Sequence, residues 1–175
     1  MARPKSTNYI NNAELYKHLS AYIVKYRKAK AEGKEGNALP PVPRYVGEVI
    51  LAIAKNLATK SNFGGYSFRE EMIGDGCENC LRYLHNFDPD KSSNPFGYLT
   101  LIMWRAFVRR IEREKTESYT KHKMILSNAD LYESIQGELS ATMLDSLSLD
   151  KSSDIVRSFE DKQDRKKNKN KEATE

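Results

Sequence analysis

Tyr98, Leu101, Arg105 and Arg109 recur at spacings of three and four, which puts them on one narrow face if the segment is helical. Arginines at that interval can grip successive phosphates or read a base edge with two hydrogen bonds. Tyr98 and Trp104 add flat rings on which bases can stack, at about 1–3 kcal/mol per base in single-stranded sites. Trp104 falls on a different side of an ideal helix from Tyr98. The stretch Arg105–Lys115 carries five basic and two acidic residues. Charge and spacing alone leave two readings open: a solvated face edged by half-buried aromatics, or a surface for nucleic acid.

Two other groups of reactive side chains stand nearby. Cys77 and Cys80 have the spacing of a metal or redox pair, with His85 a few residues on. A structural zinc site normally takes four ligands, no second cysteine pair exists, and His18 and His122 fall on other predicted helices. A redox Cys-x-x-Cys belongs near a strand-to-helix junction, and no strand pattern precedes this one. Two small residues packed within a helix is the plainer reading. Glu70, Glu71 and Asp75 span one turn, the arrangement of a metal site, a solvated acidic patch or a contact for a basic partner. Three histidines, no Gly-rich loop before a helix and no carboxylate pair beside a nucleophile leave little from which to build catalysis. No catalytic residue, metal or cofactor is expected, and the protein is not read as an enzyme.

The elements that must position these residues are helices. Helical periodicity dominates, no internal repeat is present, and no segment has a strand pattern. A first helix starts near Asn11, with Glu14 as a capping-box partner, and carries Leu15, Leu19, Ile23 and Tyr26 before fading in KAKAEGKEGN. ALPPVPR is a stiff extended connector, because its three prolines remove donors and restrict their neighbours. A second helix covers about 44–60, with Val46, Val49, Ile50, Ile53, Ala54 and Leu57 on one face, and Asn62 to Gly65 turn the chain. The third covers about 67–86, with Met72, Ile73, Cys80, Leu81 and Leu84 inward. Gly74 and Gly76 lie inside it, each costing about 1 kcal/mol relative to Ala, so something other than helix stability places them there. Asn94 caps the fourth and Pro95 takes its first position; it runs to about residue 123. Beyond it lie two short apolar patterns, Leu139, Met143, Leu144 and Leu147, then Ile155, Val156 and Phe159. The last stretch, DKQDRKKNKNKEATE, has nothing to bury and reads as disordered.

The whole chain sets bounds on partners. Its 175 residues hold one domain with a core plus tails, and the net charge of +5, from 29 basic against 24 acidic residues, permits phosphate binding without requiring it. Two cysteines are too few for a disulfide framework. No apolar run approaches the roughly 20 residues that span a bilayer, and MARPKSTNYI lacks the apolar core of a signal peptide. A cytoplasmic protein that does not engage a membrane is expected.

Three motifs, FGGYSFREEMIGDG, LHNFD and KSSNPFGYLTLIMWRAFVRRI, resemble region 2 of bacterial sigma factors, and more closely the late-transcription sigma factors of T-even-like bacteriophages. An upstream match from YINNAELY to the helix around Val49–Leu57 extends the resemblance over most of residues 9–115. The resemblance implies an all-α, compact helical domain of the sigma region 2 kind. Together with the composition and periodicity of the ends, it sets out the chain as a flexible N-terminus (1–8), a sigma region 2-like domain (9–125), C-terminal helical segments (126–160) and a disordered basic tail (161–175). It implies a factor that binds host core RNA polymerase through its largest subunits and opens an A/T-rich minus-ten-like late promoter in the cytoplasm of an infected bacterium. The positions matching the polymerase-binding helix are Glu71, Ile73, Asp75, Gly76 and Glu78, and a glycine there would let a partner backbone come close.

The promoter-facing positions implied by the same resemblance are Tyr98, Leu101, Ile102, Trp104, Arg105, Arg109 and Arg113. Tyr98 matches a position that stacks a base of the non-template single strand, and Arg105 and Arg109 match positions facing the upstream duplex. Leu101 and Ile102 stand where relatives carry a tryptophan pair that wedges the duplex, and aliphatic side chains also unstack base steps. The chain is too short for a separate minus-thirty-five domain, so promoter choice would rest on one element whose TA steps are easy to kink. A phage sliding clamp and a co-activator are further partners the resemblance brings in. The terminal KKNKNKEATE lacks the short apolar-acidic clamp motif, for which Ile155, Val156 and Phe159, flanked by Asp154, Glu160 and Asp161, are an internal substitute. The alternative is a polymerase-independent helical nucleic-acid-binding protein.

Overall fold

Asn11 starts the first helix, α1 (Asn12–Ala31), by accepting the backbone N–H groups of Ala13 and Glu14 on its side-chain oxygen. The helix stops where Gly33 takes a left-handed φ of +75°, a conformation that residues with a Cβ rarely adopt. In this computed structural model, which describes residues 9–128 and 149–172, four more helices follow: α2 (Arg44–Ala58), α3 (Arg69–Tyr83), α4 (Pro95–Ser127) and α5 (Leu149–Glu172). No strand occurs among the described residues, so the all-α expectation holds. No helix of the described residues is long and apolar enough to cross a membrane.

The chain divides into two compact units, Met1–Arg110 and Ile111–Glu175, with the division inside α4 and inside the stretch 9–125 that the sequence reads as one domain. In the first unit, Leu15, Leu19 and Ile23 of α1, Val46, Ile50 and Ile53 of α2, and Met72 and Cys80 of α3 are buried. They share the core with Leu84, Phe87, Leu99, Met103 and Phe107. Each fully buried Leu, Ile, Met or Phe contributes about 1.5–3 kcal/mol, so this core holds the unit together.

Most elements fall where the periodicity places them, with corrections. Leu81, expected inward, is exposed, and Tyr26 and Leu57 are only half-buried. The third helix gives way at Tyr83 to a 3₁₀ turn, Leu84–Asn86, which swings Leu84 and then Phe87 into the core. Asn94 caps α4 as expected, accepting from Gly97 N at 3.0 Å, while Asn12 of α1 accepts from Phe96 N at 3.2 Å. Its own cap residue and a side chain of α1 thus fix where α4 begins.

The second unit pairs the later part of α4 with α5. Phe159 stacks on Tyr119 with ring centroids 4.4 Å apart, and the Glu160 carboxylate accepts from the Tyr119 hydroxyl and the Lys123 ammonium. His122 Nδ1 and Ser152 Oγ, both buried, lie 3.0 Å apart. Residues 161–172 correct the expectation of a disordered tail, since α5 continues to Glu172. Lys, Arg, Gln and Glu are good helix formers, and a helix anchored by packed turns propagates more easily than it nucleates. The apolar pattern Leu139 to Leu147 and residues 1–8 lie outside the described residues.

Candidate nucleic-acid interface

The first turns of α4 separate into two faces. Leu99, Met103, Ala106 and Phe107 recur at spacings of three and four and are buried, so the opposite side of the helix must meet solvent or a ligand. On that side Tyr98, Ile102, Arg105 and Arg109 line a groove of about 280 Å³, closed by Tyr83 at the end of α3 and by Asn86 of the 3₁₀ turn. The volume lies near the lower end of ligand pockets, about 300–1,000 Å³, and suits one planar group.

Each wall has a distinct state. The Tyr98 hydroxyl donates to the Tyr83 backbone carbonyl at 2.7 Å, and its ring leans on Phe87 with centroids 5.3 Å apart. Burial, reinforced by the nearby Cys80, raises its pKa, so the phenol stays protonated and its hydroxyl stays committed. What Tyr98 offers a ligand is its ring. Arg109 donates from Nη2 to Asn79 Oδ1 at 2.7 Å. Arg105 is exposed and makes no hydrogen bond or ion pair among the described residues, so its five N–H donors are available.

The groove gathers four of the seven expected promoter-facing residues and leaves three outside. Leu101 and Trp104 are 48% and 45% exposed but turn away from the groove wall, on the flank of the arginine stripe. Their exposure leaves an apolar edge of α4 open to solvent beside the arginines. Arg113 belongs to the second unit, where it is exposed and pairs with Glu117 at 3.7 Å. Tyr83, Asn86 and Asn79 escaped the sequence reading. Tyr83 lies off the inward stripe of α3, which is a usable signal; Asn86 sits in a turn whose direction no periodicity reveals.

On α3 the five expected polymerase contacts divide sharply. Glu71 and Glu78 are exposed, Glu78 pairing with Arg82 at 2.6 Å. Ile73 and Gly76 are buried, and Asp75 turns to Arg110, holding its guanidinium through both carboxylate oxygens at 2.7 and 3.0 Å. Gly76 therefore has an internal reason: a Cβ there would lie 2.8 Å from Phe107 Cε1. Gly74 is the outward glycine, with open space where its Cβ would be, and it shares the exposed face with Glu71, Glu78 and Leu81.

The cysteines are packing residues in this geometry. Cys80 is fully buried and its thiol donates to Leu99 O at 3.6 Å, while burial, with Cys77 beside it, pushes its pKa up to about 12. Burial raises Cys77 as well, so neither is a thiolate at neutral pH. Among the described residues no group of three or more His, Cys, Asp or Glu side chains is placed to hold a metal ion. Comparison with models of protein families and with curated proteins found no match.

Proposed function

We propose that this chain is a phage transcription initiation factor of the sigma region 2 kind, without enzymatic activity of its own. In this reading it binds host core RNA polymerase, then recognises and opens an A/T-rich minus-ten-like late promoter, in the cytoplasm of the infected bacterium. The observation that carries the reading is the groove on α4, where an aromatic ring, an aliphatic side chain and two arginines converge beside the exposed Leu101 and Trp104. The motif resemblance supplies the partner and the promoter class.

The physical cycle follows from those residues. Arg105 and Arg109 hold phosphates and place α4 along the duplex. Leu101 and Trp104 press an apolar edge against the base steps, and Ile102 lines the groove behind them. An unpaired base stacks against Tyr98, offsetting part of the few kcal/mol that extruding a nucleotide costs. The exposed face of α3, with Glu71, Gly74, Glu78 and Leu81, is the polymerase-facing surface, and Gly74 is the point at which a partner backbone can come closest. Ile73, Asp75 and Gly76 support that face from behind. A sliding clamp and a co-activator are further partners on this reading, with the exposed Ile155 and the residues around Phe159 as the clamp contact.

Transcription by core polymerase with the full chain added, from a template carrying only an A/T-rich minus-ten-like element, tests the proposal. Initiation that depends on the added chain supports it. No initiation on several templates, premelted ones included, sinks it. Equal promoter affinity with and without polymerase would instead favour a polymerase-independent nucleic-acid-binding protein.

A further inference from the structure

The two neighbouring arginines at the end of the first unit are held by α3 in opposite ways. Arg110 lies in a two-pronged ion pair with Asp75 and is largely withdrawn from solvent, at 16% side-chain exposure. Its charge is compensated inside the unit. Arg109 meets a neutral group instead, the carboxamide oxygen of Asn79. That carboxamide is itself oriented, because Asn79 Nδ2 donates to the Asp75 backbone carbonyl at 2.7 Å. The backbone of α3 therefore aims an acceptor at Arg109, fixes one guanidinium nitrogen, and leaves both the remaining donors and the full positive charge facing the groove.

We propose that Asn79 is the positioning residue for Arg109: it orders the guanidinium before a nucleic acid arrives, without neutralising it. A long arginine side chain otherwise loses its rotamer freedom on binding, and ordering it in advance removes that cost from the complex. A carboxylate at the same position would order the guanidinium equally well and cancel its charge, as Asp75 does for Arg110. The choice of a neutral acceptor at 79 and an acidic one at 75 sorts the two arginines into one for the ligand and one for the fold. This inference rests on the reading of the groove as a nucleic-acid surface.

The test is a thermodynamic cycle on the complex of core polymerase with the full chain. Its affinity for a fork-junction DNA bearing the A/T-rich element is measured across a salt series. Asn79→Ala is expected to weaken binding about five-fold, the effect of one lost hydrogen bond, with the slope of log affinity against log salt unchanged. Arg109→Ala weakens binding and lowers that slope by about one charge. Asn79→Asp lowers the slope in the same way, because the charge of Arg109 is then compensated. Asn79→Ala adds nothing in the Arg109→Ala background. A full Asn79→Ala effect in that background, or none while Arg109→Ala is impaired, overturns the positioning role and spares the reading of the groove. An unimpaired Arg109→Ala overturns the reading, and the positioning role with it.

Discussion

Gly76 of α3 and Phe107 of α4 make contact so close that a Cβ on the glycine would fall 2.8 Å from the ring edge. Phe107 has no room to yield: it is fully buried, and Phe63 packs edge-on against it at 5.2 Å. Overpacking a dense core costs about 1–3 kcal/mol, and the roughly 1 kcal/mol by which Ala outdoes Gly in a helix offsets only part of that. Gly76→Ala should therefore destabilise the protein by on the order of 1 kcal/mol. Gly74→Ala, on the open side of the same helix, should stabilise it by up to about 1 kcal/mol. Urea unfolding midpoints of the two variants against wild type check the pair, and a stabilised Gly76→Ala would contradict the contact.

Asp75 and Arg110 tie the same two helices together beside that contact. With side chains 28% and 16% exposed, the pair is partly desolvated, so deleting Asp75 removes a two-pronged, charge-assisted contact between α3 and α4. Asp75→Ala is expected to cost about 2–3 kcal/mol. The double variant Asp75→Ala with Arg110→Met should recover part of the loss, since the apolar side chain needs no ionic partner beside residue 75. Chemical denaturation measures both. A neutral Asp75→Ala would mean that Arg110 finds an equivalent partner elsewhere. Loss of polymerase binding in an Asp75 variant is informative only once this structural role has been subtracted.

How much of this was readable in advance depends on whether the cause is local. The start of α4 was legible, because Asn94 and Pro95 carry cap and breaker side by side, and of the expected stripe Tyr98, Leu101, Arg105 and Arg109 all but Leu101 line the groove. Two nearby apolar residues were legible only in part: the groove takes Ile102, one turn after Tyr98, while Leu101 rotates outward. The reason for Gly76 was hidden, because it lies on another helix. Leu81 misled for a different reason: it follows Cys80 by about 100° of helical rotation, enough to leave the inward stripe. Tyr83 and Asn86 reach the groove only through the direction of the 3₁₀ turn, which hydrophobic periodicity does not encode.

Tyr98 separates the two roles of an aromatic side chain. Its hydroxyl serves the fold by donating to Tyr83 O, whereas its ring faces the groove. Tyr98→Phe should lower stability by about 0.5–1.5 kcal/mol and leave promoter affinity within roughly two-fold of wild type. Tyr98→Ala should lose a further ~1–3 kcal/mol of binding free energy per stacked base. Thermal unfolding and fork-junction binding, measured side by side, distinguish them. Equal binding losses in both variants would assign the ligand contact to the hydroxyl rather than the ring.

The second unit should respond to mild acid through His122. Burial, and then the neighbouring Lys121, hold its pKa below the usual 6.5, so the folded form keeps a neutral imidazole against Ser152. The unfolded chain takes up the proton first as pH falls. The associated stability is therefore complete above about pH 6.5 and declines below it, until the folded imidazole also protonates. Glu160 acts in a lower window: hydrogen bonds from Lys123 and Tyr119 depress its pKa, so its contribution fades only as pH falls through and below 4.5. Amide hydrogen exchange of residues 111–127 and 149–160, corrected for intrinsic rates, should show lower protection at pH 5.5 than at pH 7.5. His122→Gln should flatten that difference, because the substitute does not titrate. A pH-dependent drop that persists in His122→Gln would move the switch to another group and leave His122 as a packing residue alone.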